Sequence, residues 1–421
     1  MAFIKIDDIT PGMSLASDLR SREGRFLLPQ GAVLSERSIL TCKAWGVTRA
    51  EIVGHEQEEL TEARMAAIPP KFIMQAGQYI RPYLNHVDHR HPAIEEITRI
   101  AIERTAQRIA AGTPVWCDDG DGDCPHCEMV PGKSRLGDDG PRAVLHLVRE
   151  QVGLISMPDI FYKIMQVMES PFSSASHIAD VVAKDSSLTA KLLKLVNSAY
   201  YGFPSKIGSI RRAVALLGTK ELTSLAFGIS VVNTFDRIPK KVMDVESFWK
   251  HSITCGIYAS LVSSWKQNLS GERFFVAGLL HDLGRLIMLK GMPDACREAI
   301  CLSRKERMPL FLAERRVIGF DHAHVGGLLC REWKIPGSLE QMVRYHHAPA
   351  KAENIMEAGI VNLANLMASF TSPGACGEGV IPPLCATGWE SMGIDVSDLY
   401  PAVVLAERQL EEIIQIFIGR E

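Results

Sequence analysis

The sequence predicts a mainly α protein: an all-helical domain preceded by a small β-rich N-terminal module and a helical connector. Three observations carry this. Short strand-like runs are confined to the text before Val53, where Pro11-Gly12, Gly24, Pro29 and Gly31 punctuate them. From Val144 onward, apolar residues recur at helical spacing almost without interruption. Between the two lies charged, helix-forming text that ends in a glycine- and aspartate-rich stretch.

In chain order, residues 1–56 read as the β-containing module, with one helix from about Ser35 to Ala44. Residues 57–113 read as the connector. Its later helix places Ile94, Ile97, Ile100, Ile102 and Ile109 on one stripe, and Gly112 sits where a C-terminal stop belongs. His86, His89 and His91 ahead of Pro92 offer metal-ligand chemistry or a solvated turn, and the proline favours the turn. Residues 114–142 form a Cys/Asp-rich loop. Cys124 and Cys127 make a CxxC that brings two thiolates to one ion, Cys117 offers a third, and the fourth ligand of a structural zinc is left to Asp123, His126 or a distant residue. A redox reading lacks the βαβ context, and low hydrophobicity alternatively leaves the segment a disordered acidic loop.

Residues 143–370 form the helical domain. Ser156 and Pro158 suit a helix start, Leu188, Leu192, Leu193, Leu195 and Val196 form a buried stripe, and Gly218 and Gly228 punctuate. Asn197, Ser198, Ala199, Tyr200 and Tyr201 either line a ligand groove or serve turn and core packing. Residues 371–421 supply a Gly/Pro-rich loop and a last amphipathic helix through Leu399, Val403, Ala406, Leu410, Ile413, Ile414 and Phe417. That helix packs on the domain or pairs with a second copy as a homodimer.

Composition narrows the class. The chain has 421 residues, enough for two or three domains. With 46 basic against 49 acidic residues, it offers no broad surface for DNA or a membrane. No apolar run reaches the roughly 18 residues of a spanning helix, and MAFIKIDD is not a signal sequence, so a cytoplasmic protein is expected. The ten cysteines stand mostly alone in apolar text (Cys255, Cys296, Cys301, Cys330) and read as reduced core residues.

The candidate site centres on GLLHDLGRL, Gly278 to Leu286. Leu279, Leu280, Leu283, Leu286 and Ile287 make a helical apolar face, yet His281 and Asp282 lie within it. Adjacent helical residues diverge by about 100°, so imidazole and carboxylate can flank one ion. That donor pair suits iron, manganese, zinc or nickel. The plainer alternative is a histidine satisfied by its neighbours beside a capping aspartate. Around the pair stand His251, His322, His324, His346 and His347, so six of the 13 histidines accompany Asp282 between residues 251 and 347, within apolar helical text.

These motifs resemble the HD superfamily of metal-dependent phosphohydrolases, and more closely its HDOD branch, the HD-related output domains of bacterial signalling proteins. The phrases KDSSLTAKLLKLVNSA and IGSIRRAVALLG carry the likeness, which runs from about residue 147 to 370. IDDITPGMSLASDL and LLPQGAVLSERSI are similar to the module ahead of HD-GYP proteins. The resemblance implies an all-helical HDOD domain, a signalling role as an output or adaptor module, and retained metal, iron first. It implies partners among other signalling proteins or a nucleotide second messenger, without direct DNA binding. It places metal ligands at His251, His281, Asp282, His322, His346 and His347, with Asp282 bridging two ions, and leaves His324 aside. Where the family carries a last aspartate, in AGIVNLANLMAS, this chain has Asn365, a neutral and weaker ligand. After His347 comes Ala-Pro-Ala-Lys, without the GYP text of cyclic di-GMP phosphodiesterases, and Arg285 stands where relatives carry lysine. The competing expectation is a phosphohydrolase acting on a nucleotide or other phosphoester, in which Asp282 and Arg285 serve catalysis.

Overall fold

The computed structural model describes residues 2–6, 8–20, 26–44, 47, 49–53, 65–113, 140–154, 159–169, 175–203, 205–235, 244–266, 269–371 and 380–419. Cys117, Cys124 and Cys127 lie outside them, as do Ser156 and Pro158. Strands are short and occur in the N-terminal region, and helices make up the rest. The fold class is the mainly α one read from the sequence.

The chain divides into two units. The first comprises residues 1–80, 90–115 and 394–408. Strand Ala2–Lys5 pairs antiparallel with Arg49–Ile52, in a register that sets Ile4 opposite Ala50, and Leu19–Arg20 pairs with Phe26–Leu28. Alternation along these strands turns Ile4, Ala50 and Ile52 inward, where they meet Leu15, Leu34, Ile39 and Cys42 under the helix Glu36–Ala44. The helices Pro70–Ile80 and Pro92–Ala110 follow. His91 caps the second through Nδ1, which accepts from the Ala93 amide at 3.2 Å, and Gly112 takes the positive φ that ends the helical run. Ile94, Ile97 and Ile100 are buried, while Ile102 and Ile109 pack beside Ile68, Ala76 and Ala106. Arg104 pairs with Glu407 at 3.2 Å over the ring of Tyr400.

The second unit comprises residues 81–89, 116–393 and 409–421. Its core gathers Phe161, Phe227, Phe248, Trp249, Tyr258, Phe274, Phe275 and Phe370. Helix Ser186–Val196 starts at Asp185, whose Oδ1 accepts from the Leu188 amide at 2.9 Å. Asn197 ends it and pins the following turn. Its Nδ2 donates to the Leu193 and Ile207 carbonyls, and its Oδ1 accepts from the Ile207 amide. The punctuating role expected of Gly228 is corrected here. Helix Thr219–Phe235 runs through it, and the glycine makes room for Leu279, whose Cδ2 would lie 3.0 Å from an added Cβ.

Helices Val245–Ser263 and Gly271–Leu280 approach backbone to backbone. A Cβ on Gly278 would meet the Gly256 Cα at 2.7 Å, and one on Gly256 would meet the Phe275 carbonyl at 2.7 Å. A second such contact joins helix Leu283–Gly291 to His322–Glu332, where a Cβ on Gly284 would lie 2.0 Å from the His322 carbonyl. Among the described residues, no helix is long and apolar enough to cross a membrane.

Candidate metal centre

The single helix expected across GLLHDLGRL is two. One ends at Leu280, the next begins at Leu283, and His281 and Asp282 occupy the turn between them. Amides and carbonyls at helix ends lack intrahelical partners, so polar side chains are expected at such a junction more than in mid-helix. His251 comes from Val245–Ser263. His322 opens the helix His322–Glu332, and His346 and His347 follow the end of Gly337–Tyr345. Asn365 sits on Ile355–Thr371.

These segments bring two donor groups together: His251, His281 and Asp282, and His322, His346 and His347. Within each, the donor atoms lie within 4.8 Å of one another. His281, His322 and His346 are fully buried, Asp282 and Asn365 nearly so, and His347 is half-buried. Asp282 Oδ1 stands between the groups, 3.3 Å from His281 Nε2, 3.1 Å from His322 Nε2 and 3.8 Å from His346 Nε2.

The hydrogen bonds behind the rings select their tautomers. His281 Nδ1 lies 2.6 Å from the Gly278 carbonyl, and His346 Nδ1 lies 2.7 Å from the Val343 carbonyl. His322 Nδ1 lies 2.6 Å from Glu314 Oε2. Each acceptor requires Nδ1 to carry the proton, which leaves the Nε2 lone pairs of His281 and His346 directed at the centre, while His322 Nε2 shares a hydrogen bond of 3.0 Å with His347 Nε2. Inside, His281 Nε2, His346 Nε2, His347 Nδ1 and Asp282 Oδ1 are buried without a hydrogen bond of acceptable geometry. Leaving one such group unsatisfied costs about 1–3 kcal/mol, so four of them in one cluster of histidines and aspartate suit a cation. The residues fit a divalent metal.

Electrostatics agree for every histidine of the centre but His322, whose second proton a metal would displace. Burial pushes His281 down to about 4 and His346 down to about 3, so both rings are neutral donors near neutral pH. Burial also holds His251 and His347 below the ordinary histidine value. For His322, burial works the same way, but Glu314 and Asp282 outweigh it and raise the ring well above that value. Asp282 is likewise opposed by burial, yet His281, His322 and Arg285 keep its carboxyl well below the usual range.

Two of the expected ligands are otherwise engaged. His251 Nε2 lies 3.0 Å from Asn365 Oδ1, so it donates a proton there. Asp282 Oδ2 accepts from Arg285 at 3.0 Å, and Arg285 is itself buried against that carboxylate. His324 belongs to neither donor group. Its amide donates to the capping Asp321 at 2.8 Å, and its side chain is partly exposed. Asn362 fixes the ligand turn, donating to the His346 carbonyl at 2.9 Å.

Sequence reasoning did not find Glu314. The available signal was its place on the buried side of Leu310–Val317, among Leu310, Phe311, Ala313 and Val317, where a carboxylate demands a partner.

Residues 154–349 match the HDOD domain family, and the chain carries an HDOD domain there. Among solved structures, an HDOD domain protein of unknown function from Geobacter sulfurreducens is similar, with 24% identity and a TM-score of 0.51, over 66% of this chain and 99% of that one. A candidate phosphohydrolase from Shewanella amazonensis SB2B is 25% identical with a TM-score of 0.50, over 64% of this chain and 97% of its own. An uncharacterized protein of Treponema pallidum is 24% identical over 193 residues. That match spans 45% of this chain and 37% of the relative's length.

Proposed function

We propose that this chain is a regulatory HDOD protein of signal transduction that holds one divalent metal ion, iron first among the expected metals, through Asp282, His322, His346 and His347. It acts as an output or adaptor module whose partner is another signalling protein or a nucleotide second messenger. The observation that carries the reading is the bond between His251 and Asn365. A ring nitrogen that donates a proton to an amide oxygen has no lone pair for a metal. With Asp282 Oδ2 held by Arg285, the first group keeps His281 Nε2 and, on His251, only the Nδ1 nitrogen. Two-metal phosphoester hydrolysis needs both ions, about 3.5–4 Å apart, to stabilise the attacking and leaving oxygens. The second group offers three imidazoles and Asp282 Oδ1, which would hold a single divalent ion. Bound there, the ion supplies charge that orders the histidine turns and Lewis acidity toward any ligand that reaches the half-buried His347. The chain's own residues hold the rings in their tautomers, neutralise Asp282 through Arg285 and exclude water by burial.

A phosphohydrolase is the second reading, favoured by the uncommitted His281 Nε2 beside Asp282. The discriminating experiment is elemental analysis of anaerobically purified protein, with hydrolysis of bis(p-nitrophenyl) phosphate measured alongside. The expected result is one metal equivalent, none in Asp282→Ala, and no turnover. Two equivalents, or turnover by the natural protein, would refute the one-metal adaptor. Asn365→Asp is expected to raise the content toward two.

A further inference from the structure

Three imidazoles of the centre present Nδ1 to an acceptor behind them, and the acceptors differ in kind. His281 and His346 use neutral carbonyls three residues earlier in their own turns, Gly278 and Val343. His322 uses an anion from another helix. Glu314 Oε2 accepts from His322 Nδ1 at 2.6 Å and from the His322 backbone amide at 2.9 Å. Both hydrogen bonds found for Glu314 among the described residues go to this one histidine.

Ordinary helix architecture does not require this carboxylate. The N-terminus of His322–Glu332 already has its cap in Asp321, whose Oδ1 takes the His324 amide. Asp321 also binds Arg315 through Oδ2, 2.6 Å from Nε, so the neighbouring charges are paired with each other and not with Glu314. Glu314 is buried, so it does not serve solubility. A buried carboxylate spent twice on one histidine is placed for that histidine.

We infer that Glu314 is the positioning residue of the metal centre: its charge and its two hydrogen bonds fix the ring and main chain of His322, making it the anchoring ligand of the set. The inference rests on the one-metal reading above. A carboxylate behind an imidazole raises the donor strength of the opposite nitrogen as well as orienting it, and losing such an outer partner weakens metal binding by about 10–100-fold. Gly278 and Val343 carbonyls orient their rings without that charge, so His281 and His346 are weaker donors than His322.

The test is Co(II) titration of metal-free protein, followed by the visible d–d absorption, for wild type, Glu314→Gln, Glu314→Ala and Glu340→Gln. Glu340 is a buried carboxylate of the adjacent helix that pairs with Arg331 and Arg344 and, among the described residues, has no hydrogen bond or ion pair to a histidine. It serves as the control for a merely structural role. Expected results are unchanged helical circular dichroism for both glutamine variants, Co(II) affinity lowered about tenfold or more with an altered d–d band in Glu314→Gln, and a larger loss in Glu314→Ala. Glu340→Gln should bind as wild type does. If Glu314→Ala does not fold, the isosteric Glu314→Gln decides alone. Wild-type affinity and spectrum in Glu314→Gln would overturn the inference while leaving the metal reading intact. Wild type that binds no Co(II) would remove the metal reading and this inference with it.

Discussion

Gly284 offers the sharpest test of how the centre is built. It is the second residue of Leu283–Gly291, and an added Cβ would lie 2.0 Å from the His322 carbonyl and 2.7 Å from the Gly326 amide. Neither obstacle is the end of a flexible side chain. Ordinary contact distances are about 3.5 Å, so Gly284→Ala must part the two helices by roughly 1.5 Å. Overpacking of that kind costs about 1–3 kcal/mol, which corresponds to a loss of roughly 2–12 °C in Tm for a unit of this size. The consequence for metal is more severe than for the fold. Metal–ligand distances tolerate about 0.2 Å, and the parting separates Asp282 from His322, both expected donors to one ion. Thermal denaturation by circular dichroism and metal content of the same samples are the assays. Gly284→Ala should remain helical, melt lower and lose its metal. An alanine variant with unchanged Tm and unchanged metal content would refute the close backbone contact.

Two further predictions follow from residues away from the centre. Gly77 lies within Pro70–Ile80 with nothing within 4 Å of an added Cβ, so Gly77→Ala should stabilise the first unit by about 0.5–1 kcal/mol, measured as a rise in the urea midpoint. Glu272 has its carboxyl raised by burial. The folded state therefore holds that proton more tightly than the unfolded chain, whose glutamate titrates near about 4.3, and stability is lost as pH rises from there through the raised value. Glu272→Gln removes this loss. The variant should gain on wild type across that window and keep its advantage at pH 7, and denaturation midpoints at several pH values would show the opposite trend if the carboxylate were net stabilising.

The legible part of this protein was the part governed by periodicity and donor chemistry. Helical spacing in Val245–Ser263 placed His251 on a buried helix, the family likeness of AGIVNLANLMAS singled out Asn365, and Asp282 with its histidines announced itself as polar text inside apolar text. Less could be read where tertiary contact decides. The apolar spacing of Leu279 to Ile287 continues through a break in the helix, because both helices bury the same kind of face and the pattern does not register the turn between them. Gly228 reads as punctuation in one dimension and is a contact surface in three. Glu314 shares the inward helical spacing of Leu310, Ala313 and Val317, yet nothing local names His322, eight residues on, as its partner. Engagement of His251 by Asn365 depends on two helices 114 residues apart in sequence, a distance over which no spacing rule operates.

Asn362 has a consequence for engineering. Besides holding the His346 carbonyl, its Nδ2 donates to the Pro383 carbonyl at 3.3 Å, and its Oδ1 accepts from the Cys385 amide at 2.9 Å. Nearby, the backbones of Gly359 and Gly388 touch, and the Ile381 amide donates to the Tyr83 carbonyl at 2.9 Å. Residues 380–388 are thus fastened by partners distant in sequence. Altering residues 383–385 therefore perturbs, through Asn362, the turn that carries His346.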